Sequence, residues 1–193
     1  MEKKIRDLKL RIDKLVPENV CKSFINLYED NKELAGEERS YKYQTKTIEM
    51  DNFGCLNLSK NSEKFLQPLN VAKKYIGIMI TNYVFYIQNT VCPTFDKNLI
   101  ADSINIRILK YEEGQYIKDH ADVTRNIRAS CTLNLNEDYE GGEFRFFNGQ
   151  IKESFKTGDA MLFPAEPIWI HGTEPITKGT RYCINCFLED FWR

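Results

Sequence analysis

Charge imbalance is the first thing this 193-residue sequence lacks: 27 lysines and arginines stand against 28 aspartates and glutamates, with no run of five or more like charges. Bulk electrostatics therefore gives no sign of nucleic acid or an anionic membrane surface as a partner. No apolar stretch approaches the ~18 residues of a membrane span, and the charged opening MEKKIRDLKLRIDKL has no signal-peptide core. A soluble, intracellular protein is the expectation. Dense cysteine spacing is also missing. Cys21, Cys55, Cys92, Cys131, Cys183 and Cys186 are scattered, which argues against a secreted disulfide scaffold and favours reduced thiols. Cys183 and Cys186 have the spacing of a redox or zinc pair, but they lie in RYCINCFL, which reads as a strand. Side chains three apart on a strand point to opposite faces, so two structural thiols are the better reading. Internal repeats and low-complexity tracts are absent too.

What is present suits one domain over residues 1–193, able to bury roughly 70% of its unfolded surface. A helical part is expected over about 1–92 and a β core over about 100–190. Ile5, Leu8, Ile12 and Leu15 recur at three and four residues and predict a short amphipathic helix. Pro17 then opens a second helix with Val20, Phe24, Leu27 and Tyr28 on its buried face. Residues 36–61 are mixed and polar, with Gly36 and Gly54 as breakers, and read as loop with one strand at most. From Ser62 to about Gln88 the spacing favours helix, although the β-branched and aromatic content of Ile76 to Ile87 also suits a strand. After Pro93 come INIRILKY, RASCTLNL, EFRFF, QIKESF, AMLF, IWIH and RYCINCFL, short apolar runs separated by turn residues. So many closely spaced strands indicate a β-sandwich or jelly roll, with the helices packed outside one sheet.

The two histidines of the chain are His120, in His120-Ala121-Asp122, and His171, 51 residues later. Mononuclear iron(II) oxygenases need two imidazoles and a carboxylate on one face of the metal, leaving positions open for co-substrate and O2. Residues i and i+2 of an extended segment face the same way, so His120 and Asp122 can supply two ligands together. His171 would come from a neighbouring strand. Taken alone, a His-x-Asp pair is a weak signal, and each histidine by itself is better read as a surface or hydrogen-bonded residue. Ten residues beyond His171 stands Arg181, in an apolar strand where a surface cation would be uncomfortable. A planar guanidinium there can grip the far carboxylate of a dicarboxylate.

YEEGQYIKDHAD (111–122), LNLNEDYEGGEFRF (133–146), KTGDAMLFP (156–164) and HGTEPITKGTRY (171–182) together resemble the prolyl 4-hydroxylase-like branch of the iron(II)/2-oxoglutarate dioxygenase superfamily. VPENVCKSFINLYEDNKEL (16–34) resembles the helix that usually opens that fold. The resemblance implies an α+β, mainly β protein: a double-stranded β-helix (jelly roll) with N-terminal helices packed on one sheet. It implies Fe(II) held by His120, Asp122 and His171, the co-substrate 2-oxoglutarate anchored by Arg181, O2 as oxidant, and ascorbate as a candidate reductant. Tyr111 resembles a tyrosine whose hydroxyl points towards 2-oxoglutarate, and reads equally as an aromatic core residue. Asn134 stands where many relatives have a tyrosine contacting 2-oxoglutarate, which alters the expected co-substrate grip. The arginine that often precedes this strand and reaches substrate has no matching position, since Arg125 and Arg128 are both displaced in register.

The expected activity is hydroxylation of a C–H bond. Asp122 matters here, because related halogenases have a small residue in its place. A peptidyl side chain such as proline ranks first as substrate and a free amino acid or other small molecule second. Alkylated-base repair ranks third, because that branch has a second arginine where this chain has Phe187. A jelly-roll protein that binds without turnover is the reading from a different class, and the complete ligand set argues against it. Alternation along INIRILKY places Ile104, Ile106 and Ile108 on one face and Arg107, Leu109 and Tyr111 on the other, which would turn Arg107 towards the substrate side of the pocket. An arginine at the open mouth or in a structural ion pair is the competing reading.

Overall fold

Period-two patterning dominates the second half of the chain, and the strands it produces assemble around one large sheet. The computed structural model describes residues 5–43, 46–124 and 126–190. Its strands are β1 (Leu10–Ile12), β2 (Gly36–Tyr43), β3 (Lys46–Asn57), β4 (Asp102–Tyr111), β5 (Ile127–Asn134), β6 (Tyr139–Gly141), β7 (Phe144–Phe146), β8 (Ile151–Glu153), β9 (Ala160–Pro164), β10 (His171–Thr173), β11 (Ile176–Gly179) and β12 (Arg181–Glu189). Two α-helices, α1 (Glu18–Glu29) and α2 (Leu66–Thr90), precede the main run of strands. A seven-stranded sheet has the order β1-β9-β5-β12-β4-β3-β2; beside it lie the three-stranded β10-β7-β8 and the pair β11-β6. All the strand pairs are antiparallel. The fold is therefore mainly β with helices, as expected.

Alternation sorts the large sheet's side chains into two layers. Ile106 and Ile108 of β4, Ala160 and Leu162 of β9, and Ile184 and Leu188 of β12 join the core beneath the helices. Leu69, Ala72, Ile76, Met79, Tyr83 and Ile87 of α2 enter that same core at helical spacing, so Ile76 to Ile87 is helix despite its β-branched content. On the other face, Met161 and Phe163 pack against Phe144 and Phe146 of β7 and against Trp169. Leu109, Tyr111 and Cys183 form a further cluster with Ile176 of β11. Cys183 and Cys186 thus face opposite layers, and all six cysteines are free.

Three expectations need correction. The first amphipathic stretch is not a helix: Ile5–Leu8 is one 3-10 turn, and Leu10–Ile12 pairs with β9. Leu8, Leu10, Ile12 and Leu15 still pack on the core, but an available sheet edge favours the strand, with Arg11 turned to Asp159 at 2.7 Å. Residues 36–61 contain two long strands rather than loop. Gly54 does not break β3. A Cβ there would lie 2.0 Å from the Tyr28 hydroxyl of α1, so the glycine lets helix and strand approach. Finally, IWIH is not a strand ending at His171; β10 begins there, and Trp169 closes a turn onto the Glu166 carbonyl. Among the described residues, no helix is long and apolar enough to cross a membrane.

Candidate active site

Main-chain pairing brings the two histidines together. The His120 N–H donates to the His171 carbonyl at 2.9 Å and the His171 N–H donates back at 2.8 Å, an isolated bridge beside β10. Each ring also has one nitrogen assigned by the backbone. His120 Nδ1 lies 2.8 Å from the Lys118 carbonyl and His171 Nδ1 2.9 Å from that of Trp169. Nδ1 is therefore the donor on both rings, which directs both Nε2 lone pairs into the site. Asp122 lies between them, Oδ1 3.2 Å from His120 Nε2 and Oδ2 3.3 Å from His171 Nε2. The three ligand atoms all lie within 4.8 Å of one another.

Three lone-pair donors facing one another repel unless a cation lies between them. A proton can serve, and the ionisation shifts reflect it. Burial alone would lower the His120 pKa, but hydrogen bonding and charge from Asp122 outweigh it, and the imidazole ends raised. Burial would raise Asp122, yet the two imidazoles hold its carboxyl well below the usual range. A divalent metal could take that proton's place, since two imidazoles plus one carboxylate are a donor set that suits Fe(II). Ser130 on β5 donates a hydrogen bond to Asp122 Oδ2 at 2.5 Å, fixing the carboxylate. Phe144 stacks on the His171 ring, 5.4 Å between centroids and 9° between planes.

The other end of the site is a buried cation. Arg181, the first residue of β12, is 1% exposed, and its guanidinium lies over the Tyr111 ring at 5.7 Å. Its Nε donates to Asn134 Oδ1 at 3.1 Å and its Nη1 to the Gly142 carbonyl at 3.4 Å. Thiol and phenol groups of Cys183, Tyr139 and Tyr111 surround it, and among the described residues no carboxylate is ion-paired with it. Burying an unneutralised guanidinium is costly, so this position suits an anionic ligand.

One cavity of about 780 Å³ joins the two ends, lined by His120, Asp122, His171, Tyr111, Arg181 and Arg107. Arg107 is 9% exposed; its Nη2 donates to Asn185 Oδ1 at 2.6 Å and its guanidinium lies 5.1 Å from the Phe187 ring centre. Asn134 does not line the cavity; it is fully buried behind Arg181. Arg128 pairs with Asp190 at 2.8 Å, and Arg125 falls outside the described residues. Sequence reasoning missed Ser130, Phe144, Tyr139 and Asn185. A signal for the first was available: Ser130, Thr132 and Asn134 alternate with Ala129, Cys131 and Leu133, a polar row on one face of β5.

Comparison with known proteins agrees with this geometry. Residues 106–189 match the 2OG-Fe(II) oxygenase superfamily. A PKHD-type hydroxylase of Janthinobacterium sp. (strain Marseille) is 35% identical over 94 residues, which is 42% of this chain and 41% of that protein. The chain spans about half the length of the curated relatives it matches. Among solved structures, a prolyl hydroxylase from Trichoplax adhaerens, in complex with a hypoxia inducible factor oxygen degradation domain peptide fragment, superposes with a TM-score of 0.67 at 13% identity, covering 95% of this chain and 84% of that one. A Pseudomonas putida prolyl-4-hydroxylase gives a TM-score of 0.65 at 14% identity, covering 96% of each chain.

Proposed function

We propose that the protein is a 2OG-Fe(II) oxygenase of prolyl 4-hydroxylase-like type, hydroxylating a C–H bond with Fe(II), 2-oxoglutarate and O2; the match of residues 106–189 to that superfamily supports the reading. One observation carries the proposal: a two-histidine, one-carboxylate cluster shares a cavity with a buried arginine that has no acidic partner among the described residues. His120, Asp122 and His171 would hold the metal, which when bound activates O2 as 2-oxoglutarate is decarboxylated to succinate. Arg181 binds the far carboxylate, and the Tyr111 ring beneath the guanidinium keeps that end of the cavity dry. Phe144 and Phe163 press on the His171 ring and hold its orientation. We read the seven-stranded sheet and the two smaller ones as the two walls of a jelly roll in one domain, a reading that the strand order and the fold shared with prolyl hydroxylases support, and keep ascorbate as a candidate reductant.

For the substrate, a peptidyl side chain such as proline is favoured, because two solved structures sharing this fold are prolyl hydroxylases, one in complex with a peptide. Arg107 lines the substrate side, held there by Asn185 and Phe187. Arg107→Leu should then lower substrate-coupled turnover while uncoupled 2-oxoglutarate decarboxylation and metal binding persist. The decisive assay is aerobic incubation with Fe(II) and 2-oxoglutarate, read as succinate formed and, by mass spectrometry, as one oxygen gained on candidate peptides. Fe(II)-dependent succinate formation that His171→Ala abolishes is the expected result. A protein that binds Fe(II) and 2-oxoglutarate but forms no succinate with any candidate would mark a binding protein instead.

A further inference from the structure

Asn134 uses its whole side chain on the protein. Its Nδ2 donates to the Asn136 carbonyl at 2.6 Å and to the Lys156 carbonyl at 3.3 Å. Its Oδ1 accepts from Arg181 Nε at 3.1 Å and from the Tyr139 hydroxyl at 3.4 Å. The amide cannot be flipped, since that would set an NH2 against the Nε–H and an oxygen against two carbonyls. The main chain is equally fixed, with Asn134 N–H on the Asp159 carbonyl at 2.8 Å and Gly158 N–H on the Asn134 carbonyl at 2.9 Å. Such a residue has nothing left to offer a ligand, and it does not border the cavity.

The consequence falls on Arg181. A guanidinium can take a carboxylate side-on, through Nε and one Nη, or end-on, through both Nη atoms. Asn134 occupies Nε, which closes the side-on edge. Gly142, with φ +69°, packs so close that an added Cβ would lie 3.5 Å from Arg181 Cδ, and its carbonyl takes one of the two Nη1 protons at 3.4 Å, leaving the other Nη1 proton and Nη2. What remains is the end-on edge. Both partners are neutral, so they orient the guanidinium without cancelling its charge. Tyr139 completes the arrangement by donating to the same Asn134 oxygen, its own oxygen turned to the guanidinium.

We propose that Asn134 and Tyr139 are positioning residues that hold Arg181 so that it receives the far carboxylate of 2-oxoglutarate end-on, through its two Nη atoms. This rests on the oxygenase reading above and replaces a direct co-substrate contact at position 134 with one made through Arg181. The test uses the full chain loaded with Mn(II) and measures binding of two probes by calorimetry. 2-Oxoglutarate has a far carboxylate; oxalate chelates the metal equally and has none. Asn134→Asp keeps the shape but places an anion on Nε, and should weaken 2-oxoglutarate at least 30-fold, within the roughly ten- to hundred-fold range of a lost hydrogen bond to a charged group. Tyr139→Phe, which removes one oxygen from a half-buried ring and keeps the fold testable, should weaken it about three-fold. Oxalate and Mn(II) affinity should not move in either variant. If oxalate weakens in step with 2-oxoglutarate, or 2-oxoglutarate affinity is unchanged, the positioning role is overturned while the oxygenase reading stands. Wild-type protein that binds Mn(II) and oxalate but not 2-oxoglutarate overturns both.

Discussion

The two ends of the cavity solve opposite electrostatic problems. At the metal end, Asp122 and two imidazoles gather lone pairs around a point that only a cation can satisfy. At the other end, Arg181 is a cation surrounded by neutral oxygen and sulfur, so that only an anion completes it. Each end is anchored by the same strand, β5: Ser130 holds Asp122 and, four residues on, Asn134 holds Arg181. The difference lies in the freedom left over. His120 and Asp122 can share a proton, whereas a guanidinium does not titrate and waits charged. The metal end should therefore respond to pH, and the arginine end to the charge and shape of its ligand.

The most severe break removes the shared carboxylate. Asp122→Ala should abolish metal retention and reduce turnover by roughly a thousand-fold or more, since a lost ligand also leaves two imidazoles with no anion between them. Metal content after desalting checks this, and a variant that keeps stoichiometric Fe(II) would remove Asp122 from the ligand set. Arg181→Ala should break only the other end. Its expected effect is a rise in 2-oxoglutarate requirement of about 1.5–3 kcal/mol, with Mn(II) affinity nearly unchanged. Equal loss of metal would mean that the two ends are not separable. Ser130→Ala is the milder counterpart at the metal end, expected to weaken Mn(II) about ten-fold with no selective change towards 2-oxoglutarate over oxalate.

What the sequence revealed follows the same division between residues defined by chemistry and residues defined by contact. His120, Asp122, His171 and Arg181 are rare or costly residue types at informative spacing, so their convergence on one cavity could be anticipated. Ser130 and Tyr139 act only through neighbours, and a serine in a strand or a tyrosine near two glycines has many ordinary explanations. Asn134 drew notice because it departs from its relatives, but only the saturated amide shows that it faces Arg181 rather than the cavity. The N-terminal stretch misled for another reason. Leu8, Leu10, Ile12 and Leu15 satisfy a helical stripe and a strand alternation together, and the exposed edge of β9 decides between them. Gly54 likewise signals a break until the Tyr28 hydroxyl appears in its place.

The smallest predicted effect is also the one that most sharpens the contrast between the ends. In the metal-free protein, burial opposes but Asp122 secures a raised pKa for His120. A raised folded-state pKa gives stability that is fully present below the unfolded value of about 6.5 and is lost as pH rises through the folded value. Asp122, opposed by burial but held well down by the two imidazoles, has the reverse sign: its contribution is present above about 3.9 and is lost only as pH falls through its depressed value. Metal-free protein should therefore gain most from this cluster between about pH 4 and 6.5. Metal binding needs both imidazoles unprotonated, so its stabilisation should grow in the opposite direction, towards about pH 8. Melting temperatures at about pH 5.5 and pH 8, with EDTA and with Mn(II), for wild type and His120→Gln, separate the two. The wild type should exceed His120→Gln more at the lower pH in EDTA and more at the higher pH with Mn(II), by a few degrees in each case. Arg181→Ala should leave this crossover in place, because no titrating group is lost at its end. A crossover that vanishes with Arg181 would mean that the two ends share one ionisation.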